Sequence, residues 1–181
     1  MAIEWKLNPL LLAMMLAGCG GGEEKAVASF MINSTAFTDG ATIPTEFNCD
    51  GADQSPPLQW SEPPDGTKSF ALVVDDPDAP SGTFRHWAAF NIPSGARDLA
   101  AGAGNQAEGM MIQAKNDFGK MGYGGACPPK GHGPHRYRFK LLALDTDKLA
   151  LPAGSKVEEV ETAAAKHLLG RAELTGTYER K

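Results

Sequence analysis

The chain has 181 residues, of which 42% are hydrophobic and 22% charged, with a formal net charge of −5. That balance suits a soluble protein with one core of ordinary size. It carries no long basic run, which argues against nucleic-acid binding through a broad positive surface.

Residues 7–16 (LNPLLLAMML) are mostly apolar and run into Ala17-Gly18-Cys19. The stretch is too short for a standard membrane span and ends in small residues, as a secretory signal does. Leu16-Ala17-Gly18-Cys19 resembles a bacterial lipobox. The expectation is a signal peptide over residues 1–18, a lipidated Cys19 opening a flexible tether over 19–28, and one domain over 29–181. Such a protein is exported, faces the periplasm or extracellular side, and meets the membrane through its lipid anchor only. An ordinary signal peptide is the competing reading. Setting Cys19 aside leaves Cys49 and Cys127, which in an oxidising compartment form either a disulfide or two buried thiols.

Residues 29–37 carry Phe30, Ile32 and Phe37 and predict a strand ending at the Asp39-Gly40 turn. Residues 43–58 are broken by Pro44, Asp50-Gly51 and Pro56-Pro57, so they predict ordered loop and short strand before a core aromatic, Trp60. Residues 69–74 (SFALVV) predict a strand covered on both faces, and residues 86–92 (HWAAFNI) a second one ended by Pro93. Residues 94–113 are rich in Gly and Ala and read as mostly loop. The clearest helix follows Ser155, with a capping box to Glu158, a face of Val157, Val160, Ala164 and Leu168, and a stop at Gly170. Ala172, Leu174 and Tyr178 then alternate with polar residues in a last strand. Several short strands and one late helix imply a mainly β, largely antiparallel fold.

Residues 122–145 (GYGGACPPKGHGPHRYRFKLLALD) join a Gly/Pro loop bearing Cys127, His132 and His135 to a strand in which Tyr137, Phe139 and Leu141 alternate with Arg136, Arg138 and Lys140. A loop stapled to a half-buried strand is how a scaffold presents a site. Two further strand ends offer polar groups. Asp76-Pro77-Asp78-Ala79-Pro80 fixes two carboxylates, although spacing alone favours a turn in which they satisfy backbone N–H groups. His86 beside Trp87 is by itself more often structural, but with His135 it supplies paired donors for an anion. A metal site is a rival reading, yet C-x4-H-x2-H matches no standard zinc spacing. A Cys127 nucleophile lacks an activating element. No metal, no cofactor and no enzymatic activity are therefore expected.

Together these residues resemble the phosphatidylethanolamine-binding protein family, in its bacterial and archaeal Raf-kinase-inhibitor-like branch. The resemblance rests on DPDAP (76–80), His86-Trp87 with Asn91-Ile92-Pro93, NDFG (116–119) with GYGGACPP (122–129), and His135-Arg136-Tyr137 with Phe139. Smaller echoes are SPPLQW (55–60) and Gly176-Thr177-Tyr178. Ala126 departs from the proline usual in this branch. The resemblance implies an antiparallel β-sandwich with a few peripheral helices and a small pocket for phosphate-like anions. Carried over, the pocket comprises Asp76, His86, Gly125, Pro129, His135 and Tyr137, with Asp78 and Trp87 adjoining. His135, rather than His132, matches the family motif. It also implies, as an alternative, an inhibitor of proteases or kinases acting through the surface around the pocket. A hydrolase using His86 and His135 ranks lowest.

Overall fold

In the computed structural model, which describes residues 27–106 and 109–181, the apolar alternation of the strands closes two sheets around β4 (Ser69–Asp76). Its neighbours are β5 (Phe84–Pro93) and β8 (His135–Leu144), both antiparallel to it. Beyond β8 lies β9 (Leu168–Tyr178), with β1 (Ala28–Ser29) parallel to it at the edge; beyond β5 lies β7 (Ile112–Gln113). The second sheet is small and antiparallel: β2 (Ile32–Asn33), β3 (Leu58–Trp60) and β6 (Asp98–Leu99). The expected β-sandwich is present, with α1 (Val157–Ala165) as the single α-helix among the described residues.

Every residue of β4 is buried, because both faces of the large sheet are covered. Phe70, Leu72 and Val74 face the small sheet, in one core with Leu58, Trp60, Phe139 and Leu141. Ala71 and Val73 face the other way, in a second core with Val157, Val160 and Ala164 of α1. Each fully buried side chain of the larger kind contributes roughly 1.5–3 kcal/mol. The period of two also sorts the two carboxylates at the end of β4. Asp75 continues the helix-side row, and Asp76 continues the sandwich row. Asp75 accepts from Arg138 Nε at 2.8 Å and Lys140 Nζ at 2.6 Å, and Glu161 of α1 binds Lys140 at 2.9 Å and Arg85 at 2.8 Å. Burial alone would raise the Asp75 pKa, but the hydrogen bonds from Arg138 and Lys140 outweigh it and the carboxyl is lowered.

Three sequence expectations are corrected. The strand expected over residues 29–37 is two short pieces, β1 and β2, which join different sheets. The helix cap lies one residue later than Ser155/Glu158: the Lys156 N–H donates to Glu159 Oε2 at 2.6 Å. Leu168 and Gly170 belong to β9, not to the helix or its stop. Gly170 instead permits close packing, since a Cβ there would lie 2.5 Å from Pro64 Cγ and 2.9 Å from the Ala28 carbonyl oxygen. The signal peptide, Cys19 and most of the tether lie outside the described residues.

Candidate functional site

Asp76 leaves the sandwich core at the point where β4 turns back toward β5. Its Oδ1 accepts from the Asp78 N–H at 2.8 Å, which is the Asx turn that the prolines favour. Its Oδ2 faces His135 Nδ1 at 2.7 Å. Turn-former and site group are therefore the same carboxylate. Asp76 and His135 are both buried, at 3% and 2% exposure. A buried carboxylate needs such a partner.

His86 reaches the same place through an irregularity. The pairing of β4 with β5 passes from Val74↔Trp87 to Asp75↔Arg85, so β5 carries one extra residue there, His86. A bulge of this kind re-aims a side chain. The His86 ring meets Tyr137 edge-on at 5.2 Å between centroids, and its Nδ1 lies 2.8 Å from the Gly124 carbonyl oxygen. A carbonyl only accepts, so Nδ1 carries the proton, and in the neutral ring Nε2 is an acceptor. Burial depresses the pKa of His86, with the Gly124 carbonyl opposing the shift.

Above these groups opens a cleft of about 190 Å³. Asp76, His86 and His135 supply its polar floor, Phe84 and Phe118 one wall, and Ala79, Pro80, Cys127, Pro128 and Pro129 the rim. Phe84 and Phe118 pack edge-on at 4.7 Å, and both meet the His86 ring. The rim is braced by a disulfide joining Cys127 to Cys49, across 78 residues of chain. A groove of about 500 Å³ beside Ile112 and Met121 is larger, but its lining among the described residues holds no titratable side chain.

Tyr137 is 1% exposed; its hydroxyl lies close to the Asp76 carboxylate and the Cys127 backbone but makes a hydrogen bond of full geometry to no described residue. Burial, with the Asp76 charge beside it, raises the phenol pKa, so it stays a donor at any physiological pH. A buried donor left without an acceptor costs about 1–3 kcal/mol, and such groups are rare.

The other sequence-derived candidates stand apart from the floor. Asp78 is bound by Arg136 through its backbone N–H, Nε and guanidinium NH2 at 2.7–2.9 Å, which brings its pKa down to about 2. Trp87 is fully buried in the sandwich core, donating to Gln113 Oε1 at 2.7 Å. The Gly125 N–H, expected to serve the ligand, already donates to Asp53 Oδ1 at 2.6 Å. Sequence reasoning overlooked Phe84 and Phe118 and discounted His132, whose Nδ1 lies 2.9 Å from His135 Nε2. The signal for His132 was its place between two glycines in a loop otherwise stiffened by proline. Among the described residues, no group of three or more His, Cys, Asp or Glu side chains is placed to hold a metal ion.

The sequence profile described as phosphatidylethanolamine-binding protein matches residues 33–179. The chain belongs to the phosphatidylethanolamine-binding protein family. Its relatives in the family include a UPF0098 protein of Aquifex aeolicus, 43% identical over 96% of this chain and 99% of that protein. A Mycobacterium tuberculosis member provisionally named lipoprotein LppC is 39% identical over 94% of this chain and 92% of its own. The crystal structure of Escherichia coli YbcL, described as a new member of the mammalian PEBP family, superposes with a TM-score of 0.80. It is 39% identical, covering 85% of this chain and all of that one. The family fold thus accounts for the two sheets and for the single α-helix among the described residues.

Proposed function

We propose that this protein is an exported, lipid-anchored binding protein whose cleft takes a small anion of the phosphate or phosphorylated head-group kind. The observation that carries the reading is that His86 and His135 floor one cleft beside the buried Tyr137 hydroxyl, which makes no hydrogen bond of full geometry within the protein. An anion oxygen supplies the hydroxyl with an acceptor. His86 adds a second contact in either protonation state. Neutral, its Nε2 accepts from a phosphate hydroxyl; protonated, it donates to a phosphate oxygen. Because burial keeps the ligand-free ring neutral, a fully ionised phosphate binds with uptake of a proton. Affinity then falls as pH rises above the second ionisation of the phosphate group, about 6 for a phosphate monoester.

Calorimetry with inorganic phosphate and with phosphoethanolamine tests the site. His86→Ala and His135→Ala each weaken binding about tenfold or more, in line with losing a charge-assisted hydrogen bond. Equal affinity in wild type and both variants rejects the cleft.

A second reading, inhibition of a protease or kinase through the surface around the cleft, is favoured by Phe118, a large apolar side chain 43% exposed at the mouth. Its mark is inhibition of a protease panel by the intact protein that Phe118→Ala abolishes. The lipid anchor is supported by the Leu16–Cys19 tetrapeptide and by similarity to the protein named LppC.

A further inference from the structure

His132 sits on the exposed lip of the cleft, yet its ring is held in one place. Its Nδ1 lies 2.9 Å from His135 Nε2, with ring centroids 5.1 Å apart. The other nitrogen of His135 faces Asp76. Asp76, His135 and His132 therefore form a chain from the buried floor to solvent. The loop is shaped for this contact. Gly131 and Gly133 flank His132 with φ of 73° and 85°, left-handed values at which an L side chain is strained. The His132 N–H donates to the Pro129 carbonyl at 3.2 Å, and the Gly131 N–H to the Arg180 carbonyl at 2.9 Å.

Counting protons shows what the contact does. A carboxylate accepts, so His135 Nδ1 carries the proton that Asp76 receives. One proton lies between His135 Nε2 and His132 Nδ1, whether the pair is neutral or carries one positive charge. A second proton would aim two N–H groups at each other across 2.9 Å, between two cations. That arrangement cannot persist, and the exposed ring is the one free to leave.

We propose that His132 is a proton-operated cap on His135. While closed, it occupies the His135 nitrogen that would otherwise donate to an anion. Protonation of both rings turns His132 outward and leaves the His135 Nε2–H free to donate at the cleft. The proposal rests on the cleft being an anion site, and it adds what controls access to it. The surrounding charges are largely paired off. Asp78 is bound by Arg136, and Arg180 and Tyr178, from the strand end paired with His135, are both engaged by Asp50. Lys130 on the loop bears on Asp50, while His86 and Tyr137 lie within electrostatic reach of Asp76. Asp76 is thus the charge hydrogen-bonded to the pair, and Asp78, held by Arg136, lies within electrostatic reach of His135.

The test follows the imidazole nitrogen signals of the full chain, free of ligand, from about pH 8 to about pH 5. Wild type and His132→Ala are compared. The cap requires the two rings to titrate as a coupled pair in wild type, and His135 to follow a single step in His132→Ala. Independent single steps in wild type, with the His135 profile unchanged in the variant, overturn it. Calorimetry with inorganic phosphate then reads the consequence. Near neutral pH His132→Ala binds about five- to tenfold more tightly than wild type, the range one hydrogen bond carries. Once both rings are protonated that advantage disappears. Weaker binding by the variant near neutral pH makes His132 a ligand contact and overturns the cap. Absence of phosphate binding by both proteins at every pH rejects the anion site itself, while the nitrogen titration still decides whether the cap exists.

Discussion

At the scale of single residues, His86 joins structure to pH. It is 3% exposed, it gives its Nδ1 proton to the Gly124 carbonyl, and burial lowers its pKa. The unfolded chain takes up a second ring proton, on Nε2, near pH 6.5, where the folded protein resists it. More protons are then bound in the unfolded state, so this residue's contribution to stability falls as pH drops through that region. Denaturant unfolding followed from about pH 7.5 to about pH 5.5 should show the loss, at most about 1.4 kcal/mol per pH unit for one proton. In His86→Asn the slope should diminish; an unchanged slope assigns the effect to other groups. His86 also marks the edge of what the sequence discloses. The residue was picked out from its neighbours, but the extra residue that turns it toward Tyr137 leaves no trace in the letters HWAAF. Bulges are decided by how two strands pair, and pairing partners are distant in sequence.

At the scale of elements, β4 was legible and its end was only half so. SFALVV announces a strand buried on both faces, and β4 is one. That Asp75 belongs to an ion ladder with α1 while Asp76 belongs to the cleft follows from the period of two, once the two faces have been assigned. Residues 29–37 misled because their apolar residues suit one strand, whereas the backbone divides them between two sheets. Gly170 misled because a glycine after a helical pattern signals a stop, and here it makes room for Pro64 and β1. The rim owes its hold to the Cys49–Cys127 bond, which sequence left open between a disulfide and two thiols. Closing 78 residues of chain contributes about 4.5 kcal/mol in the chain-entropy account. Replacing both cysteines with serine should lower unfolding free energy by about that amount. A change below about 1 kcal/mol would mean that the reduced chain is already restrained near the same geometry.

At the scale of the whole molecule, a sandwich core on one face of the large sheet and a helix on the other leave the ends of β4, β5 and β8 to build the cleft. Family membership explains this scaffold; the chemistry at its mouth has to be argued from the groups themselves. Attachment belongs to this scale too. Replacing Cys19 with serine should move the protein from the membrane fraction to the soluble one, and an unchanged distribution rejects the lipid anchor. The central claim is that an anion binds over the floor of Asp76, His86 and His135 and takes a hydrogen bond from the Tyr137 hydroxyl beside it. Tyr137→Phe tests it most directly, because the hydroxyl makes no hydrogen bond of full geometry in the ligand-free protein and its deletion costs little there. Unfolding and phosphate calorimetry on the same variant should show stability equal to wild type or higher, together with phosphate affinity reduced about three- to tenfold. Lower stability with unchanged phosphate affinity would contradict the account.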